Sequence, residues 1–129
     1  MAGCGCGCGG NEETRFVYSC SGGADLGEIA DKVTRKLSKD GCLTTVCLAG
    51  LGADLSGFVE SAKSADLNVT IDGCGVLCAK KTLERHGVKP LSFSMTELGL
   101  AKGKTPASDE IVNEIFKMIK EKVENRNAC

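Results

Sequence analysis

Apolar residues fall into two alternating rhythms along this chain. Short apolar runs bounded by glycine or acidic residues alternate with stretches where hydrophobic side chains return every three or four positions. Arg15-Phe16-Val17-Tyr18-Ser19 predicts a short buried strand. Asp25-Leu26-Gly27-Glu28 then has the form of a capping box, with Asp25 as N-cap and Glu28 reaching back. Leu26, Ile29, Ala30, Val33 and Leu37 make one apolar helix face, and Asp40-Gly41 ends that helix. A second strand is expected over 43–48, followed by a loop at Ala49-Gly50-Leu51-Gly52. A short helix is then marked by Leu55, Phe58, Val59 and Ala62. The third strand, 67–71, stops at Asp72-Gly73, and a helix is expected from near Cys74 to His86-Gly87. Residues 88–94 form a fourth strand, in which Pro90 favours an edge position. After a loop over 95–105, Pro106 opens a last helix striped by Ile111, Val112, Ile115, Phe116, Ile119 and Val123.

Strands that alternate with helices predict an α/β fold. The expectation is a single doubly wound domain over residues 14–125, with a four-stranded parallel sheet in the order 2-1-3-4 and helices on both faces. Such sheets bind ligands beyond the carboxyl ends of their strands, where the strand order reverses. Here that point lies between the first and third strands. Residues 1–13 are a Gly/Cys-rich tail, Gly3-Cys4-Gly5-Cys6-Gly7-Cys8-Gly9-Gly10, whose glycine content argues for a flexible segment outside the fold.

Composition narrows the function. With 16 basic and 17 acidic residues the formal net charge is −1, which gives no electrostatic footprint for nucleic acid or an anionic membrane. The chain has no Trp, one Tyr and four Phe, too few for a base-stacking platform. No apolar run is long enough to span a bilayer, and Met1-Ala2-Gly3-Cys4 lacks the form of a secretory signal. The chain is therefore read as cytoplasmic, where nine cysteines call for metal or redox chemistry before structural disulfides.

Four of those cysteines share a phase. Cys20 ends the first strand, Cys47 the second, and Cys74 follows the third, with 27 positions between each pair of successive cysteines. One βα unit has about that length, so all three emerge at the ligand edge. Adjacent strands about 4.8 Å apart leave short loops able to bring sulfurs to the roughly 3.8 Å spacing of a tetrahedral Zn–S₄ centre. Cys78, four residues after Cys74 on the expected helix, supplies the fourth sulfur. Cys74 sits at the start of that helix, where the dipole favours a thiolate, and Lys80 and Lys81 would offset further negative charge. Four thiolates suit zinc, and also an iron–sulfur cluster.

Several blocks resemble the DGC-domain family. Ile71-Asp72-Gly73-Cys74 with Cys78-Ala79-Lys80-Lys81-Thr82-Leu83-Glu84 carries the Asp-Gly-Cys tripeptide itself. Tyr18-Ser19-Cys20-Ser21-Gly22, then Cys47-Leu48-Ala49-Gly50-Leu51-Gly52 and Gly57-Phe58-Val59-Glu60-Ser61-Ala62, are similar to its first and second cysteine blocks. Thr96-Glu97-Leu98-Gly99 is similar to the segment after the fourth strand. The similarity covers roughly residues 16 to 100. Relatives often continue with Ser-Asn where this chain has Ala24-Asp25. The resemblance implies a zinc-binding domain using Cys20, Cys47, Cys74 and Cys78.

A rival reading starts from Cys20-Ser21-Gly22-Gly23-Ala24-Asp25. A thiol before small residues and a helix N-terminus makes an anion cradle holding a nucleophile, similar to the phosphocysteine loop of phosphotransferase-system B subunits. Thiol-based redox or sulfur transfer through Cys74 or Cys20 is the broader form of that alternative. Asp72 and Glu97 are candidate polar neighbours of the sulfurs, against plain turn and solvent roles. His86, the single histidine, is expected to complement a helix C-terminus and not to ligate. Cys4, Cys6 and Cys8 are candidate soft-metal donors; Cys42 and Cys129 are read as incidental.

Overall fold

The computed structural model describes residues 13–126, so the tail cysteines Cys4, Cys6 and Cys8, and Cys129, lie outside the described residues. The elements run β1 (Arg15–Ser19), α1 (Asp25–Lys39), β2 (Thr44–Thr45), α2 (Leu48–Gly52), α3 (Ser56–Ser64), β3 (Leu67–Asp72), α4 (Cys78–Arg85), β4 (Leu91–Ser94) and α5 (Asp109–Arg126). All strand pairs are parallel and the sheet order is β2-β1-β3-β4, as the alternation of strands and helices requires. Val17 lies opposite Val69, and Val69 opposite Leu91.

Side chains alternate across the sheet and divide the core in two. Val17, Val69 and Ile71 pack with Leu26, Ile29 and Val33 of α1 and with Val112, Ile115 and Ile119 of α5. Tyr18 faces the other layer with Leu51 of α2, Ala62 of α3 and Leu83 of α4. On this second face the Tyr18 hydroxyl donates to Asn68 Oδ1 at 3.2 Å, and Asn68 Nδ2 donates to the Ala62 carbonyl at 2.8 Å. Burial pushes the Tyr18 phenol up to about 12, so it stays protonated and remains a donor. Among the described residues no helix is long and apolar enough to cross a membrane.

Several local expectations shift. The second strand is two residues, both exposed, because only β1 pairs with it before the chain turns into α2 at the segment expected to be a loop. The first helix has no capping box. Ala24 is its N-cap, Asp25 is its first residue, and Glu28 pairs with Lys32 at 3.2 Å. The last helix begins at Asp109 and not at Pro106, with Ser108 Oγ accepting from the Ile111 N–H at 3.4 Å. The fourth helix begins at Cys78, four residues later than expected, because Leu77 takes a left-handed backbone (φ 58) that interrupts any helix from Cys74.

Candidate functional site

Cys20 directly follows β1, Cys47 is the residue before α2 just past β2, and Cys74 lies two residues past β3. Cys78 is the first residue of α4. All four are free thiols, Cys20 and Cys74 half-buried, Cys47 and Cys78 exposed. The equal spacing thus brings Cys20, Cys47 and Cys74 to the carboxyl edge of three adjacent strands. Cys74 and Cys78 do not share a helix face, since Cys74 belongs to the turn before α4. That turn is closed by the Leu77 N–H donating to the Cys74 carbonyl at 3.2 Å. The case for Cys74 as a helix-terminal thiol falls with that change, and Cys78 takes the first-turn position.

Loops at this edge interlock through glycines. A Cβ on Gly27, in the first turn of α1, would stand 2.4 Å from the Gly22 carbonyl oxygen. One on Gly73 would stand 2.7 Å from the Gly27 nitrogen. The loops after β1 and β3 and the start of α1 therefore touch backbone to backbone. Inside this contact Cys20 Sγ accepts from the Gly73 N–H at 3.3 Å, and its own N–H donates to the Ile71 carbonyl at 3.1 Å. Burial pushes the Cys20 thiol up. The Gly22 and Gly73 N–H groups pull against that, and negative charge on Asp72 and Cys78 adds to it.

The N-termini of α1 and α4 at this edge already hold a carboxylate of the chain itself, whereas α2, which starts after Cys47, has none. Asp25 accepts from Leu26, Gly103 and Thr105 N–H groups at 2.8, 3.0 and 3.1 Å. Asp72, 1% exposed, accepts from Ala79 and Lys80 N–H groups at 2.7 and 3.1 Å. Burial raises the Asp72 carboxyl; the two N–H bonds and the charges of Lys80 and Lys81 oppose that rise. An incoming phosphate at the start of α1 would meet Asp25, which weighs against the anion-cradle reading of residues 20–25.

Around this edge the remaining candidates separate. Glu97 is exposed. His86 caps the end of α4, as expected for a histidine at a helix C-terminus. Its Nε2 lies 2.9 Å from the Leu51 carbonyl oxygen and 3.3 Å from Asp54 Oδ1. Cys42 is disulfide-bonded and stands apart from the four free thiols. A cavity of about 250 Å³ beside Cys47 is lined by Ser19, Asp31 and Arg35. Burial works against the Asp31 charge, but Arg35 and Ser21 hold its carboxyl below the ordinary value. Sequence reasoning missed the Asp25 tether and the Gly27 contact. An isolated glycine inside an apolar helix pattern was the available signal for the second.

The donor set suits a borderline or soft ion, with sulfur in all four positions. Among the described residues, however, no three Cys, His, Asp or Glu side chains are gathered into a group that could hold a metal ion. The thiols share an edge without a preassembled coordination shell.

Fold and edge together define the class: a small α/β domain with an all-parallel sheet that carries free thiols along its carboxyl edge. The chain belongs to the DGC domain family, whose profile matches residues 16–119. A relative from Pseudomonas aeruginosa, the anaerobic and virulence modulator AnvM, is 34% identical over 88 residues, covering 67% of each chain. No solved structure matches the chain.

Asp25 also gives the edge a pH dependence. Its carboxyl is held below its ordinary value by the Gly103 and then the Thr105 N–H bonds, with Leu26 adding a third. A carboxyl depressed by folding contributes stability that is fully present above its unfolded value, near pH 4, and is lost as pH falls through the folded value. The Gly103 and Thr105 amides should therefore exchange faster on acidification, after correction for intrinsic rates, and Asp25→Asn should abolish that dependence. Constant protection of both amides from neutral pH down to about pH 3 would remove Asp25 from this role.

Proposed function

We propose that this protein is a metal-binding module that holds one ion, zinc, through Cys20, Cys47, Cys74 and Cys78. The observation that carries this reading is the placement of four free thiols past the carboxyl ends of three adjacent strands. The N-termini of α1 and α4, which would otherwise serve an anionic ligand there, are filled by Asp25 and Asp72. Bound zinc would supply a fixed positive charge and a closed, structural type of centre. Because the sulfurs are not preassembled, the loops carrying Cys47 and Cys74 would draw in as the ion is taken up.

Attack by a thiolate is the second class of function, and the geometry supports it less. Burial pushes the Cys20 thiol above its ordinary value, which disfavours the thiolate, and Cys74 lies outside the helix. The AnvM relative is named for anaerobic life and virulence. A thiolate-held ion or cluster is vulnerable to oxidants, so a role linked to oxygen supply also fits this chain.

Elemental analysis of anaerobically purified protein tests the proposal. About one zinc per chain is expected from a four-thiolate site, with loss of most of it in each of Cys20→Ser, Cys47→Ser, Cys74→Ser and Cys78→Ser. Retention of full zinc in any three of the four variants sinks the site. A brown protein containing iron and acid-labile sulfide would replace zinc with a cluster on the same cysteines.

A further inference from the structure

We propose that Asp72 is a positioning residue which holds Cys78 beside Cys20, so that these two thiols form a preformed half of the site. The purpose of the half-site rests on the metal reading above, whereas its geometry does not.

Helix α4 begins without a cap of its own. Its N-cap is Leu77, an apolar residue in left-handed backbone, and it makes no side-chain capping bond. First-turn N–H groups need acceptors, and those of Ala79 and Lys80 find both oxygens of Asp72, at 2.7 and 3.1 Å. A carboxylate at a helix N-terminus also satisfies the helix dipole. Asp72 is itself anchored: it ends β3, lies opposite Ser94 of β4, and its carbonyl accepts from the Met95 N–H at 2.9 Å. Cys78 therefore hangs from the end of β3 through one buried side chain.

Cys20 hangs from the same three residues. Its N–H donates to Ile71, and its sulfur accepts from Gly73. Ile71, Asp72 and Gly73 together tie down one thiol from β1 and one from α4. Cys47, exposed at the start of α2, lies on the far side of β1 from β3. Cys74 rides on the turn between Gly73 and Leu77. The Asp of the Asp-Gly-Cys tripeptide thereby acts through helix placement, as neither ligand nor base.

Disulfide trapping in the full-length, chelator-treated protein tests this without any metal. Diamide removes two electrons and two protons from a pair of thiols and leaves one S–S bond, and mass spectrometry assigns the pair. The Cys20–Cys78 pair should form faster than any pair involving Cys47. Asp72→Ala should slow it about tenfold, the loss of roughly one capping interaction. Asp72→Asn, which keeps one acceptor oxygen, should restore most of the rate. Amide exchange at Ala79 and Lys80 is followed in parallel, and it carries the test on Asp72→Asn alone should Asp72→Ala not fold. There the two amides should open only partly, with Cys20–Cys78 pairing slowed by a correspondingly small factor. Unchanged pair selectivity while those amides open would overturn the proposal, as would faster pairing of Cys20 with Cys47 in the unmodified protein. Selective pairing in a protein that takes up no zinc would leave this inference standing and defeat only the metal reading.

Discussion

Stripping the zinc proposed for the four thiols with a chelator is expected to lower the protein's melting temperature by about 15 °C while leaving the domain folded at room temperature. The size follows from linkage. A ligand present at a thousand times its dissociation constant adds about 4 kcal/mol of stability, and for a domain of this length each kcal/mol is worth about 4 °C. The domain should survive because its two apolar layers, from Leu26 and Ile29 to Ile115 and Ile119, and from Tyr18 to Leu83, are built from buried apolar side chains, and of the four thiols only Cys20 packs against one of them. Small zinc modules that lack such a core unfold outright when stripped. Re-addition of zinc should restore the melting temperature, and the Cys20→Ser protein should show the low value with or without zinc. A melting curve unmoved by verified metal removal would mean that the ion contributes nothing to the fold, and the closed structural centre proposed for these cysteines would be wrong.

Gly27→Ala should cost about 2–3 kcal/mol and loosen the thiol edge, against the direction helix propensity gives. Gly27 lies in the first turn of α1, where alanine is intrinsically better by up to about 1 kcal/mol. The new Cβ, however, would stand 2.4 Å from the Gly22 carbonyl oxygen and 2.7 Å from its carbon. Both obstacles are backbone, so no side chain can swing away, and overpacking of this kind costs about 1–3 kcal/mol or more. Relief requires the loop after β1 to move, and Cys20 belongs to that loop. The expected readouts are a melting temperature lower by about 10 °C and faster alkylation of Cys20. Gly23→Ala is the matched control: nothing lies within 4 Å of its Cβ position, and the residue is exposed. Its effect should stay within about 0.5 kcal/mol. Equal melting temperatures for the two variants would show that the close approach at Gly27 is not rigid.

How much of this was legible in the sequence depended on the range of the interaction concerned. The sheet order was readable because four apolar runs, each followed by a helical stripe, leave few parallel topologies. Cys20, Cys47 and Cys74 could be placed at one edge because a repeated βα unit carries phase along the chain. Cys78 was assigned on a helical repeat that does not exist, since Leu77 adopts a positive φ that no local pattern announced. Asp25 shows the same limit. As a short polar residue before an apolar stripe it has the local form of an N-cap. Gly103 and Thr105, 78 and 80 positions away, instead claim its carboxylate.

By itself, then, the sequence determined the alternation of elements, the two-sided core and the edge on which the cysteines emerge. These follow from hydrophobic period and strand phase, which are properties of neighbouring residues. Tertiary structure alone decided where α4 starts, which carboxylates fill the helix N-termini, and how closely the loops after β1 and β3 approach α1. Each of those depends on an N–H, a carboxylate or a missing Cβ meeting a partner that the fold brings from a distant part of the chain, at contact distances that hydrophobic spacing does not encode.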